Sequence, residues 1–185
     1  MSPYYKQTDE KLMQLLSSGH LNCAAELFER YHVRLFNFFL YQGLDKNVSE
    51  DLVQMVFERL IRYRASFRGG MPFKAWLFQI ARNVKYDLNK KKKLRISDFI
   101  IVENLEMEDQ RPEESLKKEQ QVNLLYQALE KLNPDQREIL LLTRFQQLKY
   151  SEVASMLSIS ESAVKVKVHR ALKQLRKHYF KTEQL

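Results

Sequence analysis

Apolar side chains recur at steps of three and four along most of this chain, which is the spacing of one buried helix face. Leu12, Leu15 and Leu16, then Ala24, Leu27, Phe28, Tyr31, Leu35, Phe38 and Phe39, predict helix from Asp9 onward, broken near Gly43. A second helix is expected to open around Ser49, whose hydroxyl suits a cap ahead of Glu50 and Asp51, and to run to about Tyr63. The stretch from Arg64 to Pro72, RASFRGGMP, holds the only Gly-Gly pair and reads as a loop. A third helix starts near Phe73 and ends in the lysine run Lys90 to Lys93. Residues 94–118 mix a short apolar patch (Phe99, Ile100, Ile101, Val102) with acids and Pro112, the pattern of a linker. Helix resumes from about Glu119, and Asn133-Pro134-Asp135 is a capped helix start. The pattern predicts an all-α chain of two small helical domains, 1–93 and 119–185, joined by the linker 94–118.

The last quarter, from Tyr150 to Lys177, carries the sharpest local signal. Val153, Ala154, Met156 and Leu157 make a short apolar stripe, Ser158, Ile159 and Ser160 interrupt it, and Val164, Val168, Ala171, Leu172 and Leu175 resume it. A short helix, a three-residue break and a longer helix are the spacing of a helix-turn-helix. Ser160 suits the cap of the second helix, and Glu161 puts a carboxylate near the positive end of its dipole. At 100° per residue, Ser162, Val166, His169, Arg170, Lys173 and Lys177 face away from the stripe, with Lys165 and Arg176 on its flank. So basic an outer face suits the major groove: the N-terminal residues reach base edges and the later ones neutralise phosphate. The candidate DNA contacts are Ser160, Glu161, Ser162, Lys165, Val166, Lys167, His169, Arg170 and Lys173. Basic amphipathic helices are often only solvated, but here the break has the motif's spacing and the basic excess falls on the second helix.

The third helix has two sides of different chemistry. Phe73, Leu77, Ile80, Ala81, Val84 and Leu88 cluster on one, with Trp76 at the edge; Gln79, Arg82, Asn83, Tyr86 and Lys90 fall opposite. Amide, guanidinium, phenol and ammonium groups can read bases or hold phosphates. The loop before it adds Arg64, Phe67 and Arg68, with Tyr63 at its entrance, and rings interleaved with arginines suit unstacked bases. Phe73 and Trp76 read as core instead, because they lie beside the apolar stripe.

Composition narrows the function classes. Four glycines and four prolines in 185 residues fit a nearly all-helical chain, and a net charge of +8 suits a polyanionic partner. The charge is unevenly spread: 16 basic against 9 acidic residues in 1–93, 4 against 7 in 94–118, and 11 against 7 in 119–185. Two basic blocks are thus separated by an acidic one. Cys23 is the only cysteine, so an internal disulfide is impossible and a reducing compartment is expected. The start, MSPYYKQTDEKL, has acids where a signal peptide needs an apolar core, and no apolar run approaches membrane-spanning length. A cytoplasmic protein that is not inserted in a membrane is expected. His20, Cys23 and His32 are too loosely spaced among apolar residues to predict a metal site. No phosphate loop, paired carboxylates or nucleophile triad appears, so neither catalysis nor a cofactor is expected.

Four blocks taken in order resemble a known family. NVSEDLVQMVFERLIR (Asn47 to Arg62), FRGGMPFKAWLFQIARN (Phe67 to Asn83), LNPDQREILLL (Leu132 to Leu142) and the helix-turn-helix are similar to the signature blocks of bacterial RNA polymerase sigma factors of the sigma-70 class. The short length and two domains resemble the extracytoplasmic-function (ECF) group. The resemblance implies a factor that binds core RNA polymerase and directs promoter-specific initiation. It implies polymerase contact through Glu50, Asp51, Leu52, Val53, Gln54, Met55, Val56 and Glu58, of which Glu50, Asp51, Gln54 and Glu58 share one polar side. It implies that Tyr63, Arg64, Phe67, Arg68, Gln79, Arg82, Asn83, Tyr86 and Lys90 recognise the minus-ten element and hold its melted single strand. The helix-turn-helix would read the minus-thirty-five duplex, the linker would thread toward the polymerase active channel, and an anti-sigma factor would be a partner.

Some positions depart from the family's pattern. Met55 stands where relatives often carry an acid, and Val166 and Lys167 stand where small hydroxyl residues and Arg are frequent, so promoter preference is not transferable from relatives. The alternative function is a stand-alone helix-turn-helix regulator whose N-terminal helices sense a ligand or dimerise. That alternative predicts operator binding without polymerase.

Overall fold

The computed structural model describes residues 4–67, 72–94 and 113–183, apart from the side chains of 91–94, 113–120 and 182–183. Arg68 and most of the linker 94–118, with its apolar patch at 99–102, lie outside the described residues. Among them the chain is all-α, with no strand: α1 Asp9–Ser17, α2 Cys23–Leu40, α3 Lys46–Arg62, α4 Phe73–Leu94, α5 Glu113–Glu130, α6 Pro134–Leu140, α7 Tyr150–Leu157 and α8 Glu161–Glu183. Helices α1–α4 form the N-terminal half and α5–α8 the C-terminal half. Helix α5 begins at Glu113, six residues before the start expected at Glu119.

Helix starts follow local hydrogen-bond chemistry. Thr8 accepts from the Lys11 amide at 3.2 Å to open α1, and Asn133 accepts from the Gln136 amide at 2.9 Å to open α6, with Pro134 just inside. Ser49 is not the cap of the second long helix. Asp45 holds that place, with its backbone extended and Oδ1 accepting from the Val48 amide at 2.9 Å. Ser49 lies one turn inside, fully buried, and donates its hydroxyl to the Asp45 carbonyl. A carboxylate beside the positive helix end outcompetes a neutral hydroxyl four residues later.

The first core gathers Leu12, Met13 and Leu16 of α1, Leu27, Leu35, Phe38 and Phe39 of α2, Leu52, Val56 and Leu60 of α3, and Phe73, Leu77, Phe78, Ala81 and Val84 of α4, all at most 1% exposed. Two positions depart from the apolar stripes. Phe28 is 37% exposed and stacks on His32 with centroids 4.9 Å apart, while Phe78, off the predicted stripe, meets Phe38 edge-on at 5.2 Å. Cys23 is fully buried. Burial raises its thiol pKa above the ordinary value, with a hydrogen bond to Tyr4 opposing.

In the second core, α5, α6 and α7 pack around α8 through Leu129, Ile139, Leu140, Val153, Val164, Val168 and Ala171. After α6 the backbone widens into a π-helical stretch over Leu141–Phe145, turning Leu141, Leu142 and Thr143 inward.

Phe78→Ala should cost about 3–5 kcal/mol, the range for emptying a packed ring site. The check is urea unfolding followed by circular dichroism: the midpoint should fall sharply while the native helicity stays. An unchanged midpoint would mean that α4 packs differently.

Candidate nucleic-acid interfaces

The loop after α3 is held by α1, a role no local sequence pattern signalled. Ser17 donates its hydroxyl to the Arg64 carbonyl at 2.6 Å, and Glu10 accepts from the Phe73 amide at 3.1 Å. One helix therefore fixes both ends of the loop, and Glu10 satisfies an open amide at the start of α4. Tyr63 at the entrance is half exposed, and Arg64, partly buried, donates to the Ile61 carbonyl at 2.8 Å. Phe67 turns back onto Trp76 and Phe73, with centroids 5.3 and 6.1 Å away. Trp76 is partly buried and Phe73 fully, as their place beside the stripe predicts.

On the outer side of α4, Tyr86 is 70% exposed, and Asn83 and Lys90 are also exposed. Gln79, half-buried, donates to Asn83 Oδ1 at 3.1 Å, which aligns the two amides along one face. Arg82 is not free. Its guanidinium pairs with Glu138 Oε2 at 3.2 Å and donates to the Met156 carbonyl at 3.0 Å, both in the C-terminal half. Arg59 pairs with Asp87 at 2.7 Å and ties α3 to α4 below this face.

The outer face of α3 is acidic. Glu50, Asp51, Gln54 and Glu58 are exposed and Met55 is half-buried. Leu52, Val53 and Val56, expected at the polymerase contact with them, are 1, 6 and 0% exposed: they lock α3 into the core beneath the polar face.

The helix-turn-helix stands as its spacing predicts. Ser158 ends α7 in the left-handed region (φ 54°, ψ 43°), and the Ser160 hydroxyl caps α8, accepting from the Ala163 amide at 3.1 Å and bonding Ser162. Val164, Val168 and Ala171 are buried against the rest of the domain. Ser160, Glu161, Ser162, Lys165, Val166, Lys167, His169, Arg170 and Lys173 are all exposed, with Val166 at 48%. Glu161 pairs with Lys165 at 3.4 Å along the helix. Leu172, counted with the stripe, is exposed as well. The cationic side continues through Arg176, which lies over the ring of exposed Phe180. Among the described residues there is no group of three or more histidines, cysteines or acids placed to hold a metal, and no helix long and apolar enough to cross a membrane.

Comparison with known proteins gives this arrangement a family. The profile of Sigma-70 region 2 matches residues 27–95, and that of Sigma-70, region 4 matches 123–175. The ECF RNA polymerase sigma factor SigX of Bacillus subtilis (strain 168) is 36% identical over 82% of this chain and 81% of its own. The chain belongs to the ECF RNA polymerase sigma factors. Its function is to bind core RNA polymerase and direct initiation at promoters, and it is not an enzyme. The alternative of a stand-alone regulator is not favoured. CnrH, from Cupriavidus metallidurans (strain ATCC 43123 / DSM 2839 / NBRC 102507 / CH34), is a similar structure, solved in complex with the cytosolic domain of CnrY: TM-score 0.66, 25% identity, 91% of this chain and 95% of that one. RpoE of Bartonella quintana, solved with the anti-sigma factor NepR, shares the fold at TM-score 0.67 and 24% identity, over 83% of this chain and 94% of that one.

Trp76 is the only tryptophan, so its fluorescence reports the anchoring of the loop. Phe67→Ala should shift its emission maximum to the red by opening the indole to water. An unchanged maximum would mean that Phe67 does not cover it.

Proposed function

We propose a division of labour among three polar faces of this sigma factor. The acidic face of α3, with Glu50, Asp51, Gln54 and Glu58, meets a basic surface of core polymerase. The outer face of α4, with Gln79, Arg82, Asn83, Tyr86 and Lys90, and the loop residues Tyr63, Arg64, Phe67 and Arg68 hold the separated minus-ten strand. The exposed face of α8 from Ser160 to Lys173 reads the minus-thirty-five duplex. The observation that carries this reading is that each face lies on the back of a helix whose other side is core, so its side chains are held in register by packing. Strand opening then needs no catalysis: the face that binds unpaired bases stabilises the open form over the duplex.

The working compartment is the cytoplasm, where polymerase and DNA are. A protein inhibitor of the anti-sigma kind is a further partner, a reading supported by the likeness to RpoE of Bartonella quintana, which is solved bound to the anti-sigma factor NepR. Val166 offers methyl groups to a thymine methyl and no hydrogen bond, so it sets part of this protein's promoter preference.

Two tests follow. Asp51→Ala with Gln54→Ala should weaken competition for core polymerase against another sigma factor about tenfold or more while leaving thermal unfolding unchanged, since both side chains are exposed. Undiminished competition would remove α3 from the polymerase interface. Arg170→Ala should weaken binding of the reconstituted holoenzyme to promoter duplexes of every sequence and reduce the salt slope by about one. A changed base preference with the slope intact would make Arg170 a base reader. Transcript starts mapped on genomic DNA with and without the protein test the whole reading.

A further inference from the structure

The two contacts that α1 makes with the loop lie seven residues apart on that helix, at Glu10 and Ser17. Seven steps of 100° return to within about 20° of the same direction, so both side chains leave α1 on one side, about 10 Å apart along its axis. The nine residues from Arg64 to Phe73 could by contrast span up to about 30 Å. Core packing seats Phe73 at one end of that span. The other end lies past the last turn of α3, where a short turn closes with the Phe67 amide 3.3 Å from the Arg64 carbonyl. The Ser17 hydroxyl reaches the same carbonyl at 2.6 Å, so the turn that aims Phe67 at Trp76 and Phe73 is held from outside by α1.

Helix α1 is itself immobilised. Leu12, Met13 and Leu16 are fully buried, which stops it rolling or lifting. Its first residue, Asp9, accepts from Arg30 at 2.8 Å and from the Tyr31 hydroxyl, both on α2. The same Arg30 guanidinium donates to the Tyr5 and Gln7 carbonyls at 2.8 and 2.9 Å and is braced by Glu26 at 2.9 Å. The Tyr31 ring in turn meets Phe73 edge-on, with centroids 5.4 Å apart. The helix therefore has a fixed place along its own axis, and the residues that fix it also touch the start of α4.

We propose that α1 is a strut for strand capture: Glu10 and Ser17 are positioning residues that keep the turn Arg64–Phe67 and the first residue of α4 at a set separation before nucleic acid arrives. The proposal rests on the assignment of Tyr63, Arg64, Phe67 and the outer face of α4 to the minus-ten strand made above. Neither positioning residue needs to touch DNA. Groups held in place in advance lose less freedom when a strand binds, so capture is tighter with no added contact.

The test reconstitutes holoenzyme from the full chain and core polymerase on a duplex promoter fragment taken from a mapped transcript start. Fluorescence anisotropy in the cold reads duplex binding, and permanganate oxidation of unpaired thymines on warming reads strand opening. Glu10→Ala and Ser17→Ala should each lower opening about tenfold, while duplex binding and competition for core polymerase stay within about twofold. Glu10→Gln keeps an oxygen acceptor for the Phe73 amide and should restore most of the opening. The double variant should open about as poorly as the worse single one, because a strut freed at either end sets no separation. Tyr86→Ala, on the exposed face of α4, controls for the minus-ten assignment. Opening lowered by Tyr86→Ala but unchanged by both α1 variants overturns the strut and leaves that assignment standing. Opening unchanged in all three overturns the assignment, and the strut with it. A loss shared equally by opening, duplex binding and competition for polymerase marks a general fall in stability and overturns the positioning role. Losses that multiply in the double variant overturn the strut in favour of two independent contacts.

Discussion

Burial of one side of α4 between α2 and α3 is the constraint on which the N-terminal half depends. Phe73, Leu77, Phe78, Ala81 and Val84 are each fully buried, and the rings of Phe38 and Tyr31 meet Phe78 and Phe73 edge-on. A helix held this firmly along one side cannot rotate, so Gln79, Asn83 and Tyr86 must point outward in a fixed row. The same packing sets the loop before it. With Phe73 seated in the core, the chain entering α4 passes close to α1, where Glu10 and Ser17 hold its two ends. The polar groups on this side are therefore positioned first by the hydrophobic burial behind them, with the Gln79–Asn83 hydrogen bond aligning two of them.

The C-terminal half solves a related problem with smaller side chains. Val153 and Ala154 of α7 are buried with Val164, Val168 and Ala171 of α8, and short apolar side chains let a three-residue turn bring the two helices together. Ser158 takes the left-handed conformation that such a turn requires, unusual outside glycine but tolerated by a small polar residue. The cost is borne by a core that leaves the whole opposite side of α8 exposed, from Ser162 to Lys177.

Much of this was legible because helices announce themselves by period. The starts of α4, α6 and α8, the turn at Ser158 to Ser160 and the Ser160 cap all follow from side chains within a few residues of one another. The misreadings have a common cause. Ser49 looked like a cap because periodicity does not weigh two candidate caps, and Asp45 is the stronger acceptor. Phe78 is absent from the stripe because a wheel assumes one buried side, whereas Phe38 of α2 packs on α4 from a second direction. Phe28 and Leu172 erred the other way, since helical spacing says which residues share a face and not whether a neighbour reaches it. The hold of α1 on the loop, and the pairing of Arg82 with Glu138, join residues 47 or more positions apart, which no local pattern records.

The ion pairs also bear on where so basic a protein presents its charge. A chain of net charge +8 attracts any DNA, and attraction through phosphate alone carries no sequence information. Part of that charge is answered within the fold: Arg30 pairs with Asp9 and Glu26, Arg59 with Asp87, and Arg82 with Glu138. Lys167, Arg170, Lys173 and Lys177 instead stand exposed along α8, whose opposite side is fixed by the burial of Val164, Val168 and Ala171. A row of cations held in register by packing offers a polyanion a shaped surface, where the same charges on mobile chain would offer attraction alone.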